Sequence, residues 1–368
     1  MSELSLKHKI ALSLIPTIGD ISARRLVSYI GSVEGIFSEP FGNLIKIPGI
    51  GSGMAQAIIK RDYLEKAEKE VEYINKYNIK TFFYLDEEYP FRLKQCEDAP
   101  VIFYFTGNCN LNESKIISIV GTRSATQQGK EICEKIITGL ASGHPDLVIV
   151  SGLAYGIDIA AHKSAILNNL PTIGVLAHGL KTLYPSVHRS TTRKMIQNGG
   201  LLTDFLSDVL PERNNFLKRN RIIAGLSDAT IVIESGIKGG ALITADIANS
   251  YNRDVYAVPG RPGDQWSGGC NNLIKKNAAA LIESYEDIEV NLNWEPSGTR
   301  GPVQRMLFDE LSGNEKLIYE KLKQDRELTI DVMCQIIDIP VQKLSSILLQ
   351  MEFNGIIKCS PGNVYRLT

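Results

Sequence analysis

The sequence predicts an α/β fold in which a doubly wound parallel sheet lies between two smaller domains. Short β-branched apolar runs alternate with segments of helical spacing along the central part of the chain, which is typical of a parallel sheet with helices on both faces. A turn of the pattern P-x-I-G occurs twice near the N-terminus, with a period of 32 residues. Three helical segments and a short hairpin end the sequence, and together they predict a winged helix-turn-helix.

Composition and charge restrict the possible functions before any motif is considered. The chain has 368 residues, of which 43% are hydrophobic and 22% charged, with a net charge of −1; this predicts two or three domains with ordinary cores. A nearly neutral chain has no global basic field, so any nucleic-acid site must be local. The six cysteines show no C-x-x-C spacing and no nearby histidine, which favours free thiols and argues against a metal site. No apolar run approaches transmembrane length, so we expect a cytoplasmic protein without a membrane partner.

The repeated turn predicts an all-α helix-hairpin-helix domain over residues 1–75. Its two copies are IPTIG at 15–19 and IPGIG at 47–51, each between helical segments. The pattern resembles hairpins that bind DNA without reading its sequence, in which amides at the start of the second helix bond a backbone phosphate. A domain that only packs against its neighbour is compatible with the same pattern.

The two turns differ at the position that must leave the amides of the following helix free to bind a phosphate. The first copy has Thr17, where a glycine would help the turn, whereas the second copy has Gly49. We therefore expect the second hairpin to dominate. Gly49, Gly51 and Gly53 are the candidate secondary DNA-binding residues.

Six apolar runs predict the strands of the central domain, which we place over residues 80–290. They are IISIV at 116–120, LVIV at 147–150, TIGVLA at 172–177, GLLTDF at 200–205, ATIVIE at 229–234 and DVYAV at 254–258. In doubly wound sheets the ligand lies beyond the carboxyl ends of the strands. Three turns rich in glycine and small polar residues stand there: GTR at 121–123, SGLAYG at 151–156 and the loop at 235–240. We expect them to converge on one crevice.

The glycine loop after ATIVIE carries the main signal for anion binding. A strand leads into Gly239 and Gly240 and then into a helix, a pattern that exposes backbone amides and the positive end of a helix dipole. Lys218, Arg219 and Arg221 stand just upstream, and guanidinium groups suit phosphate oxygens. Surface salt bridges to carboxylates are the alternative use for these cations.

Signatures of nucleotide enzymes are absent. The chain has no G-x-G-x-x-G with a downstream acidic residue, and Gly129-Lys130 is followed by Glu131, so no P-loop is present. Asp158 and His162 stand one helical turn apart in GIDIAAH, a spacing shared by parts of catalytic relays and metal sites. With no third ligand or nucleophile near in sequence, a helix cap and a packed histidine are the favoured interpretation.

A linker and a winged helix are predicted for the C-terminal part. Pro, Gly, Asn and Ser interrupt the alternation over 291–312, which is typical of a linker. The domain at 313–368 should have helices at 314–323, 329–336 and 340–353, followed by a hairpin that turns at 361–363. Its recognition helix carries Lys343 as its only base, which favours protein docking or regulation over direct reading of DNA.

Six motifs occur in an order that resembles the DNA-processing protein A (DprA, also called Smf) family. They are VGTRSATQQG at 120–129, SGLAYGIDIAAH at 151–162, GLKTLYP at 179–185, RNRIIAGLS at 219–227, GGALITADIA at 239–248 and DVYAVPG at 254–260. The resemblance implies an extended Rossmann-like domain that binds single-stranded DNA, forms a homodimer and helps load RecA recombinase onto incoming strands during natural transformation. It implies no catalysis and no cofactor.

The resemblance adds to the candidate sites. Together with the glycine turns and upstream cations, it gives the candidate DNA-binding set Gly121, Thr122, Arg123, Ser151, Gly152, Gly156, Lys218, Arg219, Arg221, Gly239 and Gly240. Where the family commonly has a lysine after Tyr184-Pro185, this chain has Ser186, and His188 or Arg189 is the candidate replacement. The segment SGGCNNLIKK is implied in dimerisation, which makes Leu273 and Ile274 candidate interface residues.

Two other functions stay compatible with the sequence. Related Rossmann-like nucleotide phosphoribohydrolases use a loop P-G-G-x-G-T-x-x-E, whose glutamate works on the ribosyl bond. The loop here, KGGALITAD, lacks the second G-T step and the glutamate in register. A scaffold that recruits proteins through its winged helix would have no DNA affinity in its central domain.

Overall fold

The computed structural model describes residues 3–60, 63–296, 313–325, 327–337, 339–360 and 363–367. The chain divides into two compact units, 1–299 and 300–368. Residues 297–312, which make up most of the predicted linker, lie outside the described residues. The finer domain boundaries stay predictions.

Six helices form the N-terminal part of the first unit. They are α1 (Glu3–Leu14), α2 (Asp20–Ile30), α3 (Val33–Ile36), α4 (Phe41–Leu44), α5 (Ser52–Lys60) and α6 (Leu64–Tyr77). Their apolar side chains share one core with the start of the sheet, since Leu26 and Ile58 belong to the same buried cluster as Phe83 and Ile102. The helices are therefore packed onto the sheet rather than tethered beside it.

The sheet of the first unit has nine strands. They are β1 (Lys80–Phe83), β2 (Ile102–Gly107), β3 (Ile116–Val120), β4 (Val148–Ser151), β5 (Thr172–Val175), β6 (Gly199–Thr203), β7 (Ala229–Val232), β8 (Asp254–Ala257) and β9 (Ala280–Leu281). The six predicted runs coincide with β3 to β8, so those strands are confirmed. Their order in space is β1-β2-β6-β5-β4-β3-β7-β8-β9.

The sheet is parallel from β6 to β9, as predicted, but it carries an antiparallel edge. Strand β2 pairs antiparallel with β6 and β1 pairs antiparallel with β2. Two strands that were not predicted, KTFF and IFYFTG, extend the parallel sheet at this edge. This edge is the one that the N-terminal helices cover.

Helices cover both faces of the parallel part. They are α7 (Phe91–Lys94), α8 (Gln127–Gly143), α9 (Ile157–Leu167), α10 (Arg189–Gln197), α11 (Arg213–Gly225), α12 (Gly240–Ser250), α13 (Gly268–Lys275) and α14 (Tyr285–Leu292), with a 3₁₀ turn at Ser186–His188. Side chains alternate along each strand. In β3, Val120 belongs to the core under α11 and α12, whereas Ile119 belongs to the core under α8 and α9.

The strand order reverses at β3. From β3 the chain adds β4, β5 and β6 on one side, and it returns to add β7 and β8 on the other side. Such a switch point leaves a crevice at the carboxyl ends of the central strands, because the connections leave in opposite directions there. The turn after β3 is therefore the place where the fold itself favours a ligand site.

The second unit is small and built around its own core. It consists of α15 (Gly313–Asp325), β10 (Glu327–Thr329), α16 (Ile330–Ile337), α17 (Val341–Phe353), β11 (Ile357–Ser360) and β12 (Val364–Leu367). The three helices and the strand pair are confirmed, whereas β10 was not predicted. It completes a three-stranded sheet in the order β10-β12-β11. Most of the predicted hairpin turn, residues 361 and 362, lies outside the described residues.

No single helix in the described part of the chain is long and apolar enough to span a membrane. Helices α16 and α17 meet that test only jointly, as a pair bent by 112°.

The two P-x-I-G turns have a left-handed residue at the same position. Thr17 has a φ of 69° and Gly49 a φ of 81°; glycine adopts this region freely, whereas a β-branched residue is strained there. The helices that follow also differ in their surroundings. Asp20, the first residue of α2, accepts a hydrogen bond from the Val101 amide at 2.8 Å. The first hairpin therefore faces the sheet.

We expect the Thr17→Gly variant to be more stable than the parent by about 1 kcal/mol, because the substitution removes left-handed strain. Thr17→Ala is the matched control, since alanine keeps a Cβ in the strained conformation. Both tryptophans, Trp266 and Trp294, lie in the first unit, so urea unfolding followed by their fluorescence measures the change. A glycine variant no more stable than the alanine variant would contradict this account of the turn.

Candidate nucleic-acid interface

A cleft of about 500 Å³ lies at the carboxyl ends of β3, β4 and β7. The three predicted turns contribute Gly121, Thr122, Arg123, Ala154, Gly239 and Gly240 to its lining, and Asp158 of α9 adds a carboxylate. Helix α11 forms the remaining wall with Arg213, Phe216, Leu217, Arg219 and Asn220. The predicted convergence of the three turns on one crevice is confirmed.

Backbone contacts hold the turns together. The Thr122 amide donates to the Glu234 carbonyl at 2.7 Å, and the Thr122 carbonyl accepts from the Ile157 amide at 3.2 Å. Gly156 has a φ of 77°, and a Cβ there would lie 2.1 Å from the Thr122 carbonyl oxygen. Only glycine fits this position, because both the conformation and the space exclude a side chain.

Arg123 presents a cation to the cleft. Its side chain is exposed, and its guanidinium lies 5.0 Å from the centre of the Phe216 ring. Among the described residues no carboxylate stands within ion-pair distance of it. Arg123 is therefore available to an anion, while the ring beneath it restricts its motion.

Helix α11 supplies two residues that sequence reasoning missed. Arg213 is exposed at its first position, and Phe216 lies one turn later. Arg213, Phe216, Leu217 and Asn220 follow the spacing of one helix face, and that spacing was the signal available in the sequence. Phe216 also contacts Tyr184 edge to face, with ring centroids 6.1 Å apart, and it adds aromatic surface to the wall of the cleft.

Arg219 lies at the cleft but is almost fully buried, with 4% of its surface exposed. Its Nη1 donates to the Gly152 carbonyl at 2.7 Å and to the Val175 carbonyl. Burial lowers the pKa of the Arg219 guanidinium to about 10, while Asp158 opposes the shift. The residue therefore fastens α11 to the ends of β4 and β5.

Gly152 makes that arrangement possible. A Cβ at Gly152 would lie 2.6 Å from Arg219 Nη1 and 2.7 Å from Asp158 Oδ2. Ser151 is buried, and its hydroxyl donates to the Ile119 carbonyl at 2.6 Å. These residues of the second turn shape the cleft from beneath, since their polar atoms are committed to the protein.

Arg221 differs from its predicted role. Its Nη2 lies 2.6 Å from Asp204 and 3.2 Å from Asp20, and its Nη1 donates to the Asp98 carbonyl. The salt-bridge alternative applies to this arginine, because two carboxylates already satisfy it. Lys218 is exposed but lines a different cleft of about 350 Å³, between the N-terminal helices and the sheet. Neither cation reaches the central cleft.

The start of α12 is open to the cleft. The Gly239 amide donates to the Gly236 carbonyl at 2.9 Å, so it is already committed. The first amides of α12, at Gly240 and Ala241, have no partner within their own helix. A Cβ on Gly240 would find nothing within 4 Å. An anion can therefore approach the positive end of the helix dipole here.

His188 and Arg189 lie beside the cleft rather than in its lining. His188 is buried and contacts Tyr155 edge to face, with ring centroids 5.2 Å apart. Arg189 is exposed at the first position of α10. The pair continues the polar rim beyond the second turn.

Comparison with known proteins identifies the family. The family model described as DNA recombination-mediator protein A matches residues 80–293. The chain belongs to this family. It is 32% identical to Protein Smf of Synechocystis over 97% of both chains, and 39% identical to DNA processing protein DprA of Streptococcus pneumoniae over 56% of this chain and 72% of that one.

Solved structures of the family have the same fold. The X-ray structure of DprA from S. pneumoniae superposes with a TM-score of 0.67 at 31% identity, covering 79% of this chain and 98% of that one. A DprA structure from Helicobacter pylori, described for its single-stranded DNA binding mode, superposes with a TM-score of 0.53 at 28% identity, covering 59% of this chain and 96% of that one.

The predicted dimer residues are not equally placed. Leu273 is buried in the chain's own core beneath α13, whereas Ile274 is partly buried against that core. The side chain of Leu273 packs inward. An interface role for either residue stays a prediction.

The three secondary glycines belong to the second hairpin, and two of them line a surface depression. Gly51 and Gly53 line an apolar depression of about 680 Å³ with Thr17, Met54 and Lys60. Gly49 lies beside Arg25, whose Nη1 donates to the Pro48 carbonyl at 3.0 Å. The start of α5 is open here, since a Cβ at Gly51 or Gly53 would find nothing within 4 Å.

Asp158 and His162 have structural roles, as the favoured interpretation expected. Asp158 accepts from the Ala154 amide at 3.3 Å, and burial raises the pKa of its carboxyl against the opposing effect of Arg219. His162 is buried with its Nδ1 2.7 Å from the Thr172 hydroxyl. No group of three potential metal ligands occurs among the described residues. The pair is not part of a visible relay.

We expect His162 to make the fold sensitive to acid. Burial, with smaller effects of His188 and Arg219, lowers the pKa of His162 to about 3. The unfolded chain therefore binds this proton first, and stability present above the unfolded value near pH 6.5 is lost as the pH falls below it. Between pH 7 and 5.5 the loss should be about 1 kcal/mol. Urea unfolding of the parent and of His162→Gln tests this; an equal pH dependence in both would contradict it.

Proposed function

We propose that this chain binds single-stranded DNA in the central cleft, protects it and helps load RecA recombinase onto it during natural transformation, acting as a homodimer. The observation that carries the proposal is that Arg123, which has no carboxylate partner among the described residues, and the open start of α12 line the same cleft. The family relatives support it, since a related H. pylori structure is described for single-stranded DNA binding. The RecA and homodimer parts rest on the family resemblance.

The chemistry of the cleft suits a sugar–phosphate backbone. Arg123 and Arg213 are exposed cations, and the buried Arg219 offsets Asp158. Such contacts position a strand without reading its bases, so sequence preference should be weak. Phe216 and Tyr155 offer limited stacking surface, which is tolerant of base identity.

A phosphoribohydrolase is the weaker alternative. The carboxylate that lines the cleft belongs to Asp158, which is buried near Arg219 and accepts a hydrogen bond from the Ala154 amide. Its surroundings serve structure, and the loop at 238–246 lacks the glutamate in register. We therefore propose a binding protein rather than an enzyme, and an assay of base release from nucleoside monophosphates separates the two.

The flanking parts complete the proposal. We propose that the N-terminal helices form a helix-hairpin-helix whose second hairpin contacts DNA, because Asp20 occupies the helix start of the first. We further propose that the second unit is a winged helix that docks a protein. Its helix α17 exposes apolar residues such as Leu349 and Phe353 beside the single base Lys343.

Two arginine variants test the cleft. Arg123→Gln should weaken binding to single-stranded oligothymidylate and flatten the log–log salt slope by about 0.7, because one phosphate contact is lost. Arg221→Gln should lower thermal stability and leave the slope unchanged, since Arg221 pairs with Asp20 and Asp204. Fluorescence anisotropy across a salt series measures the affinity and the salt slope of both variants, and thermal unfolding measures the stability of Arg221→Gln. A slope near zero in the parent protein would rule out the phosphate cleft.

The two hairpins offer a matched pair of substitutions. Gly19 and Gly51 are equivalent positions with no atom within 4 Å of an added Cβ. Gly51→Glu should weaken DNA binding about two- to threefold, because a carboxylate at the open start of α5 repels phosphate. Gly19→Glu should not, since that helix start already faces the sheet. Equal losses in a binding titration would contradict the proposed asymmetry.

A further inference from the structure

The charges along the sequence are unevenly distributed. Between Asp158 and Asp204 the chain has no aspartate or glutamate, although it has 41 acidic residues in all. The same stretch carries five lysines and arginines and three of the five histidines. A long acid-free segment in a nearly neutral chain concentrates positive potential wherever the fold places it.

The fold gathers most of these cations on two neighbouring helices. Helices α9 and α10 contact each other, and four of their cations are exposed; we call them the α9–α10 basic surface: Lys163, Arg189, Arg193 and Lys194. None of the four has a carboxylate within ion-pair distance in the described part of the chain. Arg189 and Arg193 stand one turn apart on the outer face of α10, so their charges add along a line about 6 Å long.

This surface adjoins the cleft. Ala154 lines the cleft, and the next residue, Tyr155, has 47% of its surface exposed and contacts the His188 ring. His188 directly precedes Arg189. Lys163 also lies near His188. Burial, together with the charge of Lys163, lowers the pKa of the His188 imidazole. A continuous line therefore runs from the cleft past Tyr155 to the two helices.

The surface has a defined border. Helix α8, which also packs against α9, carries exposed Glu131 and Glu134 beside exposed Lys130 and Lys135, so its charges balance. A face with balanced charges attracts a polyanion less than a face that holds only cations. The favourable path follows α10, where the outer face holds arginines and no acid.

We infer that the α9–α10 basic surface is a second stretch of the single-stranded DNA path, which holds the backbone phosphates that leave the cleft past Tyr155. The inference rests on the proposed function of the cleft. Charge complementarity selects the ligand: the surface offers cations in a row without further aromatic rings, which suits phosphates and not bases. A strand must be long enough to fill the cleft before it reaches these residues.

Strand length is therefore the decisive variable. An oligothymidylate of about 5 nucleotides should occupy the cleft alone, whereas one of about 20 should also cover the basic surface. The full chain is compared with a Lys163→Glu/Arg193→Glu variant. Lys135→Glu is the matched control, because Lys135 is exposed on α8 near Glu131 and Glu134.

We expect the double variant to bind the long strand about tenfold more weakly and with a salt slope flatter by about 1.4, for two lost contacts. Its affinity for the short strand and its melting temperature should match the parent, and Lys135→Glu should behave like the parent at both lengths. Unchanged binding of the long strand by the folded double variant would overturn the inference and leave an acidic protein as the ligand of this surface. Equal losses in the Lys135→Glu control would overturn it too.

The same titrations separate this inference from the proposed function. If Arg123→Gln binds the short strand as well as the parent does, the cleft is not the site and the proposed function fails. If Arg123→Gln loses the short strand while the double variant keeps the long one, only the extension of the path is wrong.

Discussion

The buried guanidinium of Arg219 is the interaction on which the site depends. It reaches from α11 to the carbonyls of Gly152 and Val175, so one side chain fixes the ends of β4 and β5 relative to a helix. The cost of burying this charge is offset by Asp158, whose own carboxyl is also buried. Without Asp158 the buried guanidinium would keep only its carbonyl partners, and without Arg219 the buried carboxyl would lose a charge that favours its ionised form. The shape of the cleft is therefore linked to the stability of the sheet.

The arginines of this region differ in role according to how deeply they are buried. Arg219 fastens the strand ends, and Arg221 joins the sheet to the N-terminal helices through Asp20 and Asp204. Only an exposed guanidinium without a carboxylate partner, such as that of Arg123, keeps its charge for a ligand. The two arginines of the R-N-R motif thus support the structure around the cleft, whereas the exposed cations in its lining come from the turn after β3 and from the start of α11.

The parallel core was predictable because its physics is local. Strands such as IISIV and ATIVIE are buried on both faces, so each is a continuous apolar run that periodicity detects. The convergence of the glycine turns followed from the rule that parallel strands share one carboxyl edge. The antiparallel edge was missed because aromatic strands separated by helices give no local signal for their partners.

The site was only partly predictable because partners are distant in sequence. The sequence around Arg221 does not indicate that it pairs with Asp20, which lies about two hundred residues earlier in the chain. The inward packing of Leu273 likewise depends on which face of α13 meets the sheet. The helical spacing of Arg213 and Phe216 is visible in the sequence, but spacing alone does not tell which face of α11 lines the cleft.

The central claim is that the crevice at the switch point of the sheet holds a phosphate backbone. A crystal structure of the chain with a short oligothymidylate tests it most directly. The account predicts a phosphate within hydrogen-bond distance of the Arg123 guanidinium and the first amides of α12, with Arg221 still paired to Asp20 and Asp204. A strand bound elsewhere, with the crevice empty, would contradict it.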